Sequence, residues 1–119
     1  MAPAAVLRDD CIRGNLFGTK FDSLNQPTEI DVLDAKVGAN YMRTGRDLPI
    51  YETASQYQGP AYMLHGTGDV VVPYTYSLRY QRIYFNGSVE LIPGEDHVFG
   101  HDTAGAARKV AAFFHKQLK

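Results

Sequence analysis

The sequence predicts an α/β fold, with parallel strands and flanking helices preceded by a less regular stretch. Three observations predict it. From residue 61 onward, short apolar runs alternate with helical periods in the order strand, helix, strand, helix, a pattern that implies crossover connections and a parallel sheet. The two apolar runs, Ala61–Leu64 and Val89–Ile92, each end in a glycine-bearing turn that delivers a chemically able side chain: Asp69 after the first, His97 after the second. By contrast, residues 9–34 show no long period and are punctuated by Gly14, Gly18, Asn25-Gln26-Pro27 and several aspartates, which suggests loops with short strands or a hairpin.

Taken in order, Met1–Leu7 is apolar and reads as the end of a buried strand, with Pro3 at its limit. Residues 1–9 are therefore expected to be the end of a core strand, which implies that an N-terminal half is missing. Phe17, Phe21, Ile30 and Val32 are the apolar positions that the next stretch can bury. A short helix is predicted over 34–46, capped by Asp34, with Val37, Tyr41 and Thr44 on one face. Leu48-Pro49-Ile50-Tyr51 begins another short helix or turn, with Pro49 suited to its first turn.

Gln58-Gly59-Pro60 breaks the chain before the strand at 61–65. A helix follows over 75–85 with Leu78, Tyr80 and Ile83 in an incomplete stripe, and Asn86-Gly87 is expected to end it with a left-handed glycine. The strand at 88–92 comes next. The last helix starts near Asp102 or Thr103, and Ala107, Val110, Ala111, Phe114 and Leu118 fall at helical spacing. Lys116 and Lys119 lie at its C-terminal end, where the dipole favours positive charge.

With 119 residues the chain is one domain at most. A formal net charge of −1, with no basic stripe, gives no electrostatic reason to expect nucleic acid or an anionic membrane surface as partner. No apolar run approaches the roughly eighteen residues of a membrane span, and the N-terminus lacks the basic start of a signal peptide. The single cysteine, Cys11, rules out an internal disulfide and fits a reducing, cytoplasmic compartment. No His or Cys pair has metal-ligand spacing, so no metal is expected. No phosphate-binding glycine motif is present, so no nucleotide cofactor is implied.

An acid and a histidine, each at the exit of a strand, form two-thirds of a Ser-His-Asp relay. Histidine takes the proton of the nucleophile, and the acid fixes the imidazole tautomer and stabilises the imidazolium. The bland alternative is that Asp69 caps the following helix and His97 caps a loop. The pair favours catalysis, because both follow strands and Asp69 precedes His97 as the α/β-hydrolase order demands. His65 reads as structural or loop-shaping, Asp96 as support for the turn or as a competing acid less well placed than Asp69, and His101 and His115 as surface groups. No G-x-S-x-G elbow occurs. Ser23, Ser55, Ser77 and Ser88 all lack an elbow context, and Asp9-Asp10 would raise rather than lower the Cys11 thiol pKa.

Several segments together resemble bacterial cinnamoyl/feruloyl esterases of the α/β-hydrolase superfamily: Ala2-Pro3-Ala4-Ala5, Gly14-Asn15, Leu48-Pro49-Ile50-Tyr51-Glu52, His65-Gly66-Thr67-Gly68-Asp69 with Val72-Pro73, and Gly94-Glu95-Asp96-His97. The resemblance covers nearly the whole chain but only the C-terminal half of such an enzyme. It implies that Asp69 and His97 are the triad acid and base. It also implies that residues 10–57 form an inserted lid that roofs the substrate, with 58–119 the core segment bearing the triad pair. Asp10 and Tyr41 match the lid residues that contact the ring hydroxyl of a ferulate-like group. Phe17 stands where some relatives carry Gln, which puts the polar contacts there outside the resemblance.

The expected function is thus a fragment of a serine carboxylesterase acting on small aromatic hydroxycinnamate esters. It supplies acid and base, lacks the nucleophile, and is nearly inactive alone. Its expected partner is the missing N-terminal half, whose elbow should lie about 20–25 residues before Met1, or a second copy through self-association. The alternative, from another class, is a non-catalytic module that self-associates or binds an aromatic ligand.

Overall fold

The structure, a computed structural model, describes residues 5–118, which divide into two compact units, 5–50 and 51–118. The first unit opens with helix α1 (Ala5–Arg13), followed by strands β1 (Asn15–Leu16), β2 (Thr19–Lys20), β3 (Glu29–Val32) and β4 (Ala35–Gly38), then helix α2 (Ala39–Asp47). The strands form two antiparallel hairpins, β1 with β2 and β3 with β4. Cys11, Leu16, Val32 and Met42 are the buried centre of this unit, with Leu7, Phe21 and Ile30 packed against them.

The strand expected over 1–9 is corrected by α1, which holds residues 5–9; residues 1–4 of that expectation lie outside the described residues. A short apolar run fits either element. Here the helical spacing decides: Leu7 and Cys11 both pack into the core, and Arg13 pairs with Asp9 at 3.9 Å and Asp10 at 3.5 Å. Gly14 ends the helix in a left-handed conformation (φ 75°), its N–H donating to the Asp10 carbonyl at 2.9 Å. A Cβ at Gly14 would collide with the Phe21 carbonyl oxygen.

The helix expected from Asp34 starts only at Ala39, because Ala35–Gly38 pairs with Glu29–Val32 as a strand. Val37 faces Ile30 across that ladder, and Lys36 reaches Asp31 at 3.1 Å. Pairing outweighed the weak helical period. Within α2 the buried residue is Met42, whereas Tyr41 is about half exposed. Phe17 is also half exposed: with Gly18 it makes the two-residue β1–β2 turn, both at positive φ, as right-handed strand twist requires.

The second unit contains α3 (Ile50–Ala54, entered from the first), β5 (Pro60–Gly66), α4 (Thr75–Ile83), β6 (Asn86–Ile92) and α5 (Thr103–Gln117). Strands β5 and β6 are parallel, in register from Pro60↔Asn86 to Gly66↔Ile92, with α4 as the crossover. The sequence-predicted alternation is therefore present. Of the expected stripe, helix α4 buries Tyr80 and half-buries Leu78 and Ile83, and it also buries Tyr76 and Ser77. Tyr80 stacks on Tyr84 and tilts against Tyr51, over which the Arg79 guanidinium sits at 4.0 Å. Burial first, then neighbouring Tyr51 and Tyr84, pushes the Tyr80 phenol up to about 12.

No left-handed glycine ends α4. The chain leaves it extended at Tyr84, and Asn86 and Gly87 already belong to β6. Asp102 caps α5 as expected, its Oδ1 accepting the Gly105 N–H at 2.9 Å. Phe113 of α5 stacks on Tyr62 of β5, and Lys109 pairs with Glu90. The anticipated apolar face of α5 is largely uncovered in this chain, with Val110, Phe114 and Leu118 exposed. No helix of the described residues is long and apolar enough to cross a membrane.

Candidate active site

The parallel register sets the site. Because β5 and β6 end side by side at Gly66 and Ile92, the turns that follow them are stitched together. Thr67 N–H donates to the Ile92 carbonyl at 3.0 Å, Gly68 N–H to the Glu95 carbonyl at 2.9 Å, and Gly94 N–H to Thr67 Oγ1 at 2.8 Å. A Cβ on Gly66 would overlap the Glu95 carbonyl, so only glycine lets the two turns meet this closely.

That contact brings Asp69 and His97 together. His97 Nδ1 lies 2.9 Å from Asp69 Oδ2, although the residues are 28 apart in sequence. A carboxylate only accepts, so Nδ1 carries the proton and the neutral ring keeps its lone pair at Nε2. The Asp69 side chain is 2% exposed and that of His97 36%. Asp69 Oδ1 accepts the N–H groups of Val71 at 2.9 Å and Val72 at 2.8 Å, closing a tight turn around the carboxylate. Burial opposes ionisation of Asp69, but the Val72 N–H, His97 and the Val71 N–H outweigh it and hold its pKa below the usual carboxylate value.

The loop bearing His97 is organised by a residue that sequence reasoning missed. Glu95 is buried, with Oε1 accepting from Asp96 N–H (2.9 Å), His101 N–H (3.0 Å) and His101 Nδ1 (2.8 Å), and Oε2 accepting from Asp102 N–H (3.0 Å). Burial works against its charge, yet the N–H groups of His101, Asp96 and Asp102 and the His101 ring hold its pKa at about 2. Asp96 supports the same turn as expected, its Oδ1 accepting Val98 and Gly100 N–H. No sequence signal singles out Glu95 from the surface glutamates; a buried role emerges only from the amides that converge on it. Glu95, Asp96 and His101 place ligand-type atoms within 4.8 Å of one another, but the Glu95 oxygens are already occupied by these donors.

His65, read from sequence as structural, is fully buried beside the pair: Nε2 lies 2.8 Å from the Val72 carbonyl and 3.2 Å from Asp69 Oδ2, and Nδ1 2.6 Å from Ser77 Oγ. The three serine hydroxyls of the second unit are engaged elsewhere than at His97. Ser77 serves His65, Ser55 donates to the Glu52 carbonyl at 2.7 Å, and Ser88 lies 3.5 Å from the Ala61 carbonyl. Cys11 and Ser23 belong to the first unit, where burial, then Asp10, pushes the Cys11 thiol up.

Asp10 and Tyr41 also fall in the first unit. Tyr41 lines an apolar cavity of about 450 Å³ between α1 and α2, together with Leu7, Arg8, Cys11, Thr44 and Leu48. Gly45 makes the helices approach, since a Cβ there would lie 2.7 Å from Cys11 Sγ. Arg8 Nε is buried at this cavity with no hydrogen-bond partner among the described residues. Asp10 is not part of the lining; it pairs with Arg13, and burial raises its carboxyl pKa against the pull of Arg13.

No known protein family profile matches the chain, and no curated protein sequence matches it. Solved structures do. Est1E from Butyrivibrio proteoclasticus matches with a TM-score of 0.90 at 32% identity, covering 98% of this chain and 48% of that one. The structure of Est1E with ferulic acid bound matches equally, with a TM-score of 0.90 at 32% identity, over 98% of this chain and 47% of that one. The chain therefore spans about half the length of the solved structures it matches. Over nearly all its residues, this chain has the fold of one half of Est1E, a feruloyl esterase of the α/β-hydrolase fold.

Proposed function

We propose that this chain is the C-terminal half of a serine carboxylesterase for hydroxycinnamate esters, and that Asp69 and His97 are its acid and base. The observation that carries the proposal is the 2.9 Å contact between His97 Nδ1 and Asp69 Oδ2. With Nδ1–H held by the carboxylate, Nε2 is free to take the proton of a serine hydroxyl as it attacks the ester carbonyl, and to return that proton to the departing alkoxide. Asp69 stays ionised and stabilises the imidazolium between those steps. The nucleophile and the oxyanion-hole amides come from a polypeptide segment other than these 119 residues.

In this reading the inserted, acyl-binding subdomain is unit 5–50, in place of the 10–57 expected from the resemblance. The apolar cavity between α1 and α2 suits a planar aromatic group, with Tyr41 on its wall and the Arg8 Nε–H available to an acceptor oxygen. Asp10 lies on the same helix but outside the cavity lining and paired with Arg13, so its role as acceptor for the ring hydroxyl is proposed from the resemblance and requires that hydroxyl to reach past the cavity wall.

The second reading is a non-catalytic module that binds an aromatic ligand or itself. It is favoured by the cavity being complete within residues 5–50 and by the uncovered apolar side of α5. Methyl ferulate separates the two. Hydrolysis on co-expression with the Est1E half that the match leaves uncovered, lost in His97→Ala, supports the esterase. Ferulic acid binding with no turnover under any complementation supports the module.

A further inference from the structure

Among the buried polar groups, His65 is one that the proton relay does not use. Its ring is 1% exposed at the end of β5, and each nitrogen has a polar partner. The Val72 carbonyl can only accept, so Nε2 carries a hydrogen, and that hydrogen also faces Asp69 Oδ2 at 3.2 Å. Nδ1 of the neutral ring is then an acceptor, and Ser77 on α4 meets it with a hydroxyl at 2.6 Å. Strand β5, helix α4 and the Asp69 turn are thus joined through one imidazole.

We propose that His65, oriented by Ser77, is a positioning residue that holds the Asp69 carboxylate in register with His97. The inference rests on the assignment of Asp69 and His97 as acid and base. Asp69 Oδ1 is fixed by the Val71 and Val72 amides, but those two bonds define only one oxygen. Oδ2 is bracketed between His97 Nδ1 on one side and His65 Nε2–H on the other. Val72 is gripped on both sides of its Cα, its N–H by Asp69 and its carbonyl by His65. Val70 of this turn is 95% exposed, so the turn is held by the buried Val72 and by these hydrogen bonds. The polar clamp supplies the constraint, and His65 makes no direct contact with a reacting atom.

The test reads the tautomer of His97 from the 15N shifts of its two ring nitrogens at alkaline pH, in the full chain. Asp69→Asn calibrates the ratio expected when the carboxylate is lost. The unmodified chain should favour Nδ1–H strongly. Ser77→Ala and His65→Leu should each move the ratio about tenfold toward the Asp69→Asn value, the size expected for one misaligned hydrogen bond. His65→Gln, whose amide can donate to Val72 and accept from Ser77, should stay near the unmodified ratio.

If Ser77→Ala leaves the ratio unchanged, His65 is not positioned through Ser77 and the inference fails; that variant is decisive even if His65→Leu does not fold. A fall in His65→Gln as large as in Ser77→Ala overturns it too, since the clamp's hydrogen bonds would not be what matters. If the unmodified chain already matches Asp69→Asn, the pairing of Asp69 with His97 is itself wrong, a result distinct from failure of the clamp alone.

Discussion

The Glu95 carbonyl oxygen occupies the space that a Cβ on Gly66 would fill. Two turns from different strands touch backbone to backbone at that point, and on them ride Asp69 and His97. Substituting Gly66 is therefore a displacement of one turn against the other. Gly66→Ala should cost about 1–3 kcal/mol of stability, as overpacking typically does. Gly94→Ala, at φ 73° with open space around it, should cost about 1–2 kcal/mol from backbone strain alone. Urea unfolding measures both. The His97–Asp69 tautomer signature should shift in Gly66→Ala and persist in Gly94→Ala.

Acid should loosen the His97 loop through Glu95. Its pKa is depressed from 4.5 to about 2 on folding, so the stability it contributes is complete above about 4.5 and lost as pH falls through about 2. Asp69, lowered from 3.8, acts in the same direction. The melting temperature should fall across that acidic range. Glu95→Gln should melt several degrees lower at neutral pH and show a shallower acid decline, measured by calorimetry as a function of pH.

Ferulic acid should bind unit 5–50 through the α1–α2 cavity. Tyr41→Ala should weaken binding about tenfold, the worth of one aromatic contact. Asp10→Asn should weaken it less, because the amide keeps an acceptor oxygen. Calorimetric titration of the full chain decides this. Equal affinity in Tyr41→Ala would remove the cavity from the account.

The uncovered side of α5 should drive association when the chain is alone. Phe114 is 51% exposed beside Val110 and Leu118 on the same helix, an arrangement that marks a contact surface. Sedimentation velocity should show a concentration-dependent species larger than a monomer. Phe114→Glu should shift it toward monomer.

The second unit was legible in the sequence because its signals are local. Two apolar runs, a glycine-rich turn after each, and Asp102 before the last helix are enough to lay out β5, α4, β6 and α5. Parallel register then brings Asp69 and His97 together, so their meeting follows from where each stands on its strand. The first unit was less legible. Met1–Leu7 is too short an apolar run to separate a strand from a helix, and Ala35–Gly38 took the strand form because Glu29–Val32 lies opposite. His65 reads in sequence only as structural or loop-shaping, with no partner indicated, and nothing in the sequence marks Glu95. Their roles come from partners as far off as Ser77 and Asp102, which no local pattern reveals.

The most direct measurement is methyl ferulate hydrolysis by this chain complemented with the other half of Est1E, compared among the unmodified chain, His97→Ala and Asp69→Asn. The account predicts hydrolysis in the first, a loss of about 10⁴-fold in Asp69→Asn and a loss of about 10⁶-fold in His97→Ala, as removal of a triad acid or base gives. Hydrolysis that survives His97→Ala at an undiminished rate would contradict it.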